Sequence, residues 1–350
     1  MTHPNAMAAE ILEASAAGYA AAAAYLMQRK ANGEVSSSLN GSAIWKAHLT
    51  ERVLELAAAV RVDQPRLFAR RIAWLRRAYR ARGADETELK ATIASLREAL
   101  ETELPEQLRS AVGPSLQLAV DVLESEPEPA AVALDKSDPA HRLALEYLAT
   151  CLEGAPERAI ELVLATIGTE FTPEEIYVRV LIPAQREIGE LWHVGDVTIG
   201  EERIVSETTA QLMTLIAAKH APRHGNGKIV LAASVAGNTH DLGLRVVADL
   251  FRLAGWRCLF LGANVPRMEI GSTAKSYSAD LVVLTATLAT QLKELEHSIE
   301  AIRETAPEAK ILVGGIAFEE SPTLWRQLGA DAYAESVEMA VASGAKAVGA

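Results

Sequence analysis

Apolar positions recur along this chain with two different periods, and the change of period divides it. Up to about residue 220 they fall at three- and four-residue steps, the spacing of one helix face. Leu67, Phe68, Ile72, Leu75 and Tyr79 form such a stripe inside a helix expected over 64–82. An uninterrupted alanine-rich helix is expected over 8–29, and further helices over 42–60, 86–102 and 106–123. Pro65 and Pro105 suit helix openings, where a missing amide costs nothing. Residues 33–41 read as a loop by composition. From Lys228 onward, short β-like runs alternate with helical stretches. Strands are expected at 228–234, 257–261, 280–285, 310–313 and 331–334. Helices are expected at 241–255, 266–278, 289–305, 317–328 and 336–347.

These patterns imply an α + α/β protein with three domains. An all-helical domain spans 1–123, and a proline-rich, acidic linker spans 124–138. A four-helix bundle follows over 139–221, with helices at 139–153, 155–167, 172–192 and 198–219. Within it, Thr172, Pro173 and Glu175 have the types expected at N-cap, N1 and N3 of a helix. After a short hinge at 222–227 comes a domain over 228–350. Its five β-α units imply a flavodoxin-like, doubly wound, five-stranded parallel sheet.

Composition narrows the function classes. The 350-residue chain is 49% hydrophobic, only 5% aromatic, and carries a net charge of −12. So acidic a chain is a poor candidate for nucleic-acid binding. The one basic segment, from Arg66 to Arg82, reads as a solvated helix face with acidic neighbours from Asp85 onward. No helix-turn-helix pattern is recognisable in the N-terminal helices. Only two cysteines occur, Cys151 and Cys258, which fits a reducing cytoplasm. The polar start is not a signal peptide, and the run 16–24 is too short and too weakly apolar to span a bilayer. No Ser/His/Asp or Cys/His nucleophile arrangement, zinc spacing or P-loop stands out, so a binding protein is expected rather than an enzyme.

The stretch richest in chemistry runs from Lys228 to Phe260. An apolar run leads into a loop carrying Asn238, Thr239, His240, Asp241 and Gly243, and a helix follows. That is how a parallel α/β domain presents a functional loop at the carboxyl end of its first strand. Asn238-x-His240-x-x-Gly243 resembles the Asp-x-His-x-x-Gly signature of cobalamin-binding proteins: methionine synthase, corrinoid carriers, B12 mutases and B12-dependent photoreceptors. Two further features strengthen the resemblance. Thr285 and Thr287 close the third apolar run, where family members have Ser-x-Leu. Gly314 and Gly315 follow the fourth run, where the family has Gly-Gly. The resemblance implies His240 as lower axial ligand to cobalt. Asn238 stands in for the aspartate that orients that histidine, and carries no charge. It also implies that the nucleotide tail enters the sheet crevice, with Thr285 near its base and Gly314 and Gly315 leaving room for phosphate and sugar.

A second constellation lies in the bundle. Trp192 and Glu202 have the separation of a Trp-x9-Glu-His signature that resembles the B12-dependent photoreceptors. There the tryptophan and glutamate cover the adenosyl face of the corrin, and the histidine binds cobalt after photolysis. Arg203 occupies the histidine position, and a guanidinium cannot ligate a metal. His193 or water is then the remaining candidate.

The reading these residues support is an adenosylcobalamin light sensor acting through a homo-oligomer or a signalling partner protein, without direct contact to nucleic acid or membrane. The extra N-terminal helices resemble the arrangement of photocobilins, which implies a non-covalently held bilin such as biliverdin near Trp45, His48, Trp74 and Tyr79. The alternative is a corrinoid carrier serving a methyltransferase system. A mutase small subunit is a third reading, and it would need a barrel partner.

Overall fold

The computed structural model describes residues 4–31, 42–126, 134–222, 225–321 and 323–350. The expected loop at 33–41 lies outside the described residues, as do parts of the linker and of the 222–227 hinge. The chain forms two compact units, Met1–Pro129 and Ala130–Ala350.

The first unit's described elements are all helices: α1 (Pro4–Ala14), α2 (Ala16–Ala31), α3 (Ser42–Arg61), α4 (Pro65–Ala81), α5 (Glu86–Glu103) and α6 (Glu106–Glu124). Leu12, Leu49, Leu56, Phe68, Ile72, Ile93, Leu96 and Leu100 are fully buried. The single helix expected over 8–29 is instead broken at Ser15. There the Ser15 carbonyl accepts both the Gly18 and the Tyr19 N–H, tightening the first turn of α2. The basic segment is bound up in ion pairs. Arg71 pairs with Glu55 at 2.8 Å. Arg76 pairs with Glu86 at 2.7 Å and also donates to the Val122 and Ser125 carbonyls at the end of α6.

The second unit joins the bundle and the sheet, which the sequence pattern separates. The bundle holds α7 (Pro139–Leu152), α8 (Pro156–Thr166), α9 (Pro173–Glu175), α10 (Ile182–Val194) and α11 (Ile199–His220). Thr172 and Glu175 complete a reciprocal capping box at the start of α9. Between α9 and α10 the helix widens into a π-turn, Ile176–Leu181, where the Ile182 N–H reaches back to the Tyr177 carbonyl. Pro183 supplies the reason: it has no N–H and its ring crowds the preceding turn.

The sheet contains β1 (Ile229–Val235), β2 (Arg257–Val265), β3 (Leu281–Thr285), β4 (Lys310–Gly314) and β5 (Ala332–Ala334). All are parallel, in the order β2-β1-β3-β4-β5. Helices α12 (Leu242–Leu253), α13 (Arg267–Ser276), α14 (Leu292–Thr305), α15 (Leu324–Gln327) and α16 (Val337–Ala347) alternate with the strands. The helix expected over 317–328 is reduced to a 3₁₀ turn, Ile316–Phe318, and the four-residue α15. Pro322 in that stretch lacks the amide a continuous helix needs.

Val246 and Leu250 of α12 are buried in the same apolar cluster as Tyr147, Ile176, Tyr177 and Met213 of the bundle. The Tyr177 hydroxyl, in the π-turn, lies 2.9 Å from the Met213 carbonyl of α11 and 3.0 Å from Asp249 Oδ2 of α12. Burial raises the Asp249 carboxyl pKa, against the lowering effect of its partner Arg252. Bundle and sheet therefore share a core and a buried polar tie.

Candidate functional site

In a doubly wound sheet, ligands enter where the strand order reverses, outside the carboxyl ends of the strands. Here β2 lies on one side of β1 and β3 on the other. The reversal is therefore flanked by the loop after β1, which carries His240, and the loop after β3, which carries Thr287. The two loops are stitched together. Asn238 is fully buried. Its amide nitrogen donates to the Thr285 carbonyl at 3.2 Å, and its Oδ1 accepts the His240 backbone N–H at 3.1 Å. The side chain thus fixes the backbone of His240 rather than its ring. Ser234 Oγ lies 3.1 Å from the Thr285 hydroxyl and 3.4 Å from the His240 carbonyl.

Thr239, His240 and Gly243 are exposed. A Cβ built at Gly243 meets nothing within 4 Å, so the start of α12 faces open space. Asp241 begins α12 and lies over Gly262 of β2, where a Cβ would sit 3.7 Å from its Oδ2. The loops after β3 and β4 approach each other closely. Gly315 has φ 109° and ψ 167°, and a Cβ there would run into the Ala286 carbonyl. At Gly314 a Cβ would sit 3.3 Å from the Ala334 carbonyl. Gly315 is thus required by the protein's own backbone, and Gly314 sits in a tight fit against it.

The donor set suits a metal that brings its own equatorial ligands. Among the described residues, no three His, Cys, Asp or Glu side chains group to hold a free ion. The Cys258 thiol is pushed up to about 11 by burial, and burial also raises the Cys151 thiol, so neither is a thiolate at neutral pH. One exposed imidazole on a braced loop, beside an open helix start and a polar crevice, fits a corrinoid.

On the bundle, Trp192 is half-buried in the last turn of α10, which Gly195 closes at φ 93°. Thr198 and Glu201 form a capping box at the start of α11. Glu202 and Arg203 follow in its first turn, so Trp192 and Glu202 flank the short connection 195–198. A chain of hydrogen bonds runs inward from Glu202. Its Oε1 is 2.6 Å from Ser206 Oγ, which is 3.2 Å from Gln185 Oε1. The Gln185 amide donates to Thr209 at 2.7 Å, and Thr209 is 2.8 Å from the Tyr147 hydroxyl. The Arg203 side chain is 72% exposed and 3.8 Å from Glu202. His193, the substitute ligand considered from sequence, is 3% exposed within the bundle.

In the N-terminal unit, Trp45 and His48 are ring neighbours on α3, with centroids 6.3 Å apart. The Arg71 guanidinium lies over the Trp74 ring, and Tyr79 is half-buried, its pKa raised by burial. Cys151 is fully buried in the bundle.

Sequence reasoning missed two residues that shape the crevice, Asn264 and Gln291. Asn264, at φ 54°, accepts the Gly237 N–H through Oδ1 at 2.7 Å and donates its own N–H to the Asn238 carbonyl at 2.9 Å. Gln291 is 6% exposed. Its Oε1 accepts the Thr287 and Leu288 N–H groups at 2.8 and 3.0 Å, and its amide donates to the Gly237 carbonyl at 3.2 Å. An asparagine just before Val265-Pro266 was the one available signal, because asparagine tolerates positive φ.

Comparison with known proteins bears on these features. Residues 228–342 match a family model described as a B12 binding domain, and residues 143–216 match a second model of the same description. The chain is 27% identical to dimethylamine corrinoid protein 3 of Methanosarcina acetivorans over 178 residues, 49% of this chain and 82% of that protein. It is 28% identical to the HTH-type transcriptional repressor CarH of Myxococcus xanthus over 157 residues, 44% of this chain and 52% of that protein. The solved monomethylamine corrinoid protein of Methanosarcina barkeri aligns over 57% of this chain and 94% of its own, at 18% identity and a TM-score of 0.49.

Proposed function

We infer that this chain, which belongs to the cobalamin-binding domain family, is a corrinoid carrier: it holds cobalamin between the β1–β3 crevice and the bundle and presents it to a methyltransferase partner. Bound cobalamin supplies a cobalt that can accept and release a methyl group. The protein's residues hold and orient it. His240 would offer its imidazole to the cobalt, on a backbone fixed by Asn238. Gly243 leaves the approach to that imidazole open. Thr285 lines the crevice that would take the nucleotide tail.

One observation carries this ordering of the readings. The bundle position where the photoreceptor pattern has a second imidazole holds the exposed Arg203, and the neighbouring His193 is packed inside. The corrinoid protein relatives support it, since the chain matches most of their length.

A light sensor using adenosylcobalamin is the second reading. It is favoured by the Trp192–Glu202 separation and by the hydrogen-bonded chain from Glu202 to Tyr147. A bilin bound by the N-terminal unit belongs to that reading.

The test loads the protein with adenosylcobalamin and compares its size-exclusion volume in darkness and after green light. In parallel, the reduced, cobalamin-loaded protein is treated with methyl iodide. The carrier reading expects no light-dependent change in volume and recovery of a protein-bound methylcobalamin spectrum. A light-dependent change of assembly, or a biliverdin complex whose spectrum responds to light, would transfer the assignment to the sensor.

A further inference from the structure

The peptide at Gly237 is held from both sides. Asn264, from the end of β2, takes its N–H at 2.7 Å, and Gln291, from the start of α14, donates to its carbonyl at 3.2 Å. Gln291 does more than hold this peptide. Its carbonyl oxygen accepts the N–H groups of Thr287 and Leu288, so one buried side chain joins the β3 loop to the β1 loop. Gly237 lies three residues before His240, and the next link, Asn238, fixes the His240 N–H. A displacement of the loop after β3 therefore reaches Gly237, and through Asn238 the His240 backbone, by way of Gln291 or breaks its three hydrogen bonds; this route runs beside the direct link from the Asn238 amide to the Thr285 carbonyl. The amide is well suited to this: oxygen and nitrogen are both used, at opposite ends of one planar group. Water has little access to replace it, as the residue is 6% exposed.

We propose that Gln291 is a positioning residue for the lower cobalt ligand, coupling the crevice that takes the nucleotide tail to the placement of His240. This rests on His240 being that ligand. No neighbouring residue duplicates the role. Asn264 braces the β1 loop from the far side, and Asn238 and Ser234 join the His240 backbone to Thr285 at the end of β3, whereas Gln291 ties the next residues of that loop, Thr287 and Leu288, to Gly237. Residues that orient a metal's ligands change affinity by about 10- to 100-fold when lost. Gln291→Leu fills similar space without the hydrogen bonds. Gln291→Glu keeps the acceptor oxygen for Thr287 and Leu288 and loses the donor to Gly237.

The experiment reads the ligand directly. Protein labelled with ¹⁵N is loaded with cob(II)alamin, and electron paramagnetic resonance reports whether the axial nitrogen is ¹⁵N, from the protein, or ¹⁴N, from the cofactor's own base. Wild type is expected to show ¹⁵N. Gln291→Leu is expected to lose that signature in most molecules and to bind hydroxocobalamin at least about tenfold more weakly. Gln291→Glu should fall between the two. Melting curves of the free proteins establish that each variant is folded. If Gln291→Leu is folded and keeps the wild-type ¹⁵N signal and affinity, the proposal is wrong while the ligand assignment stands. A Gln291→Glu variant that loses no more than the wild type overturns it equally, even where Gln291→Leu fails to fold. If wild type binds cobalamin without the ¹⁵N signature, His240 is not the ligand and the proposal falls with it.

Discussion

The two faces offered to a corrinoid are built differently. The crevice of the sheet is internally committed: Asn238, Ser234, Thr285, Asn264 and Gln291 spend their polar groups on one another and on the backbone of the loops after β1 and β3, leaving the His240 side chain exposed. The bundle face is looser. Trp192 is half-buried, Arg203 is exposed, and Glu202 faces a serine hydroxyl whose single proton has two acceptors. A face whose hydrogen bonds are all internal can fix a permanent ligand. A face with spare acceptors can tolerate different upper groups, such as methyl or adenosyl. In the proposed carrier, this contrast places affinity at the sheet and tolerance of different upper groups at the bundle.

His240→Ala should sharpen that division most. We expect it to weaken hydroxocobalamin binding by at least about tenfold, by titration calorimetry. Trp192→Ala should change affinity by less than about threefold, while costing roughly 1–3 kcal/mol of stability. Equal losses of affinity would abolish the contrast. The glycines separate fold from site. Gly315→Ala places a side chain in a backbone region open essentially to glycine and against the Ala286 carbonyl, so urea denaturation should show a loss of roughly 2–4 kcal/mol. Gly243→Ala meets open space in a helix. It should stabilise the free protein by up to about 1 kcal/mol and still weaken cobalamin binding. A Gly243→Ala variant that binds normally would remove the start of α12 from the site.

Much of this was legible in the chain, for physical reasons that also mark where legibility stops. Short apolar runs alternating with helical stretches mark β1 to β5, and their parallel direction follows from the β-α connections. Asn238, His240, Gly314 and Gly315 sit at strand ends, where local composition and position coincide. Strand β2 runs four residues beyond its expected end because pairing resumes after a register shift opposite Gly262, a tertiary event. The π-turn was read as plain helix although Pro183 was in view. It carries Tyr177, whose hydroxyl meets Asp249, 72 residues away, a contact that local periodicity does not reveal. Gln291 had no signal at all, since its partner Gly237 is 54 residues distant in sequence. The Ser15 break is likewise masked by the alanines that surround Ser15 and Gly18 in an otherwise helix-favouring run.

The buried tie between the two faces sets the next effect. Tyr177→Phe removes a hydroxyl that contacts both Met213 and Asp249 and leaves a buried carboxyl short of a partner. Roughly 1–3 kcal/mol should be lost in thermal or urea unfolding. Affinity for cobalamin should change less than for His240→Ala, because no crevice residue is touched. A large loss of affinity would mean that the packing of the bundle on α12 sets the sheet site, and the separation of roles would be wrong.

The smallest structural change carries the choice between the two functional readings. The Arg203 side chain is 72% exposed, and its contact with Glu202 is 3.8 Å, so Arg203→His should alter stability by no more than about 0.5 kcal/mol. It places an imidazole at the one position where the photoreceptor pattern asks for it. If the bundle is a carrier's cap, the variant loaded with adenosylcobalamin should behave in darkness and light as the wild type does, with no new stable axial ligand after illumination. If instead a second imidazole captures cobalt after photolysis, the bundle already has the geometry of a light sensor. Arginine at that position would then be the change that removed the stable light product.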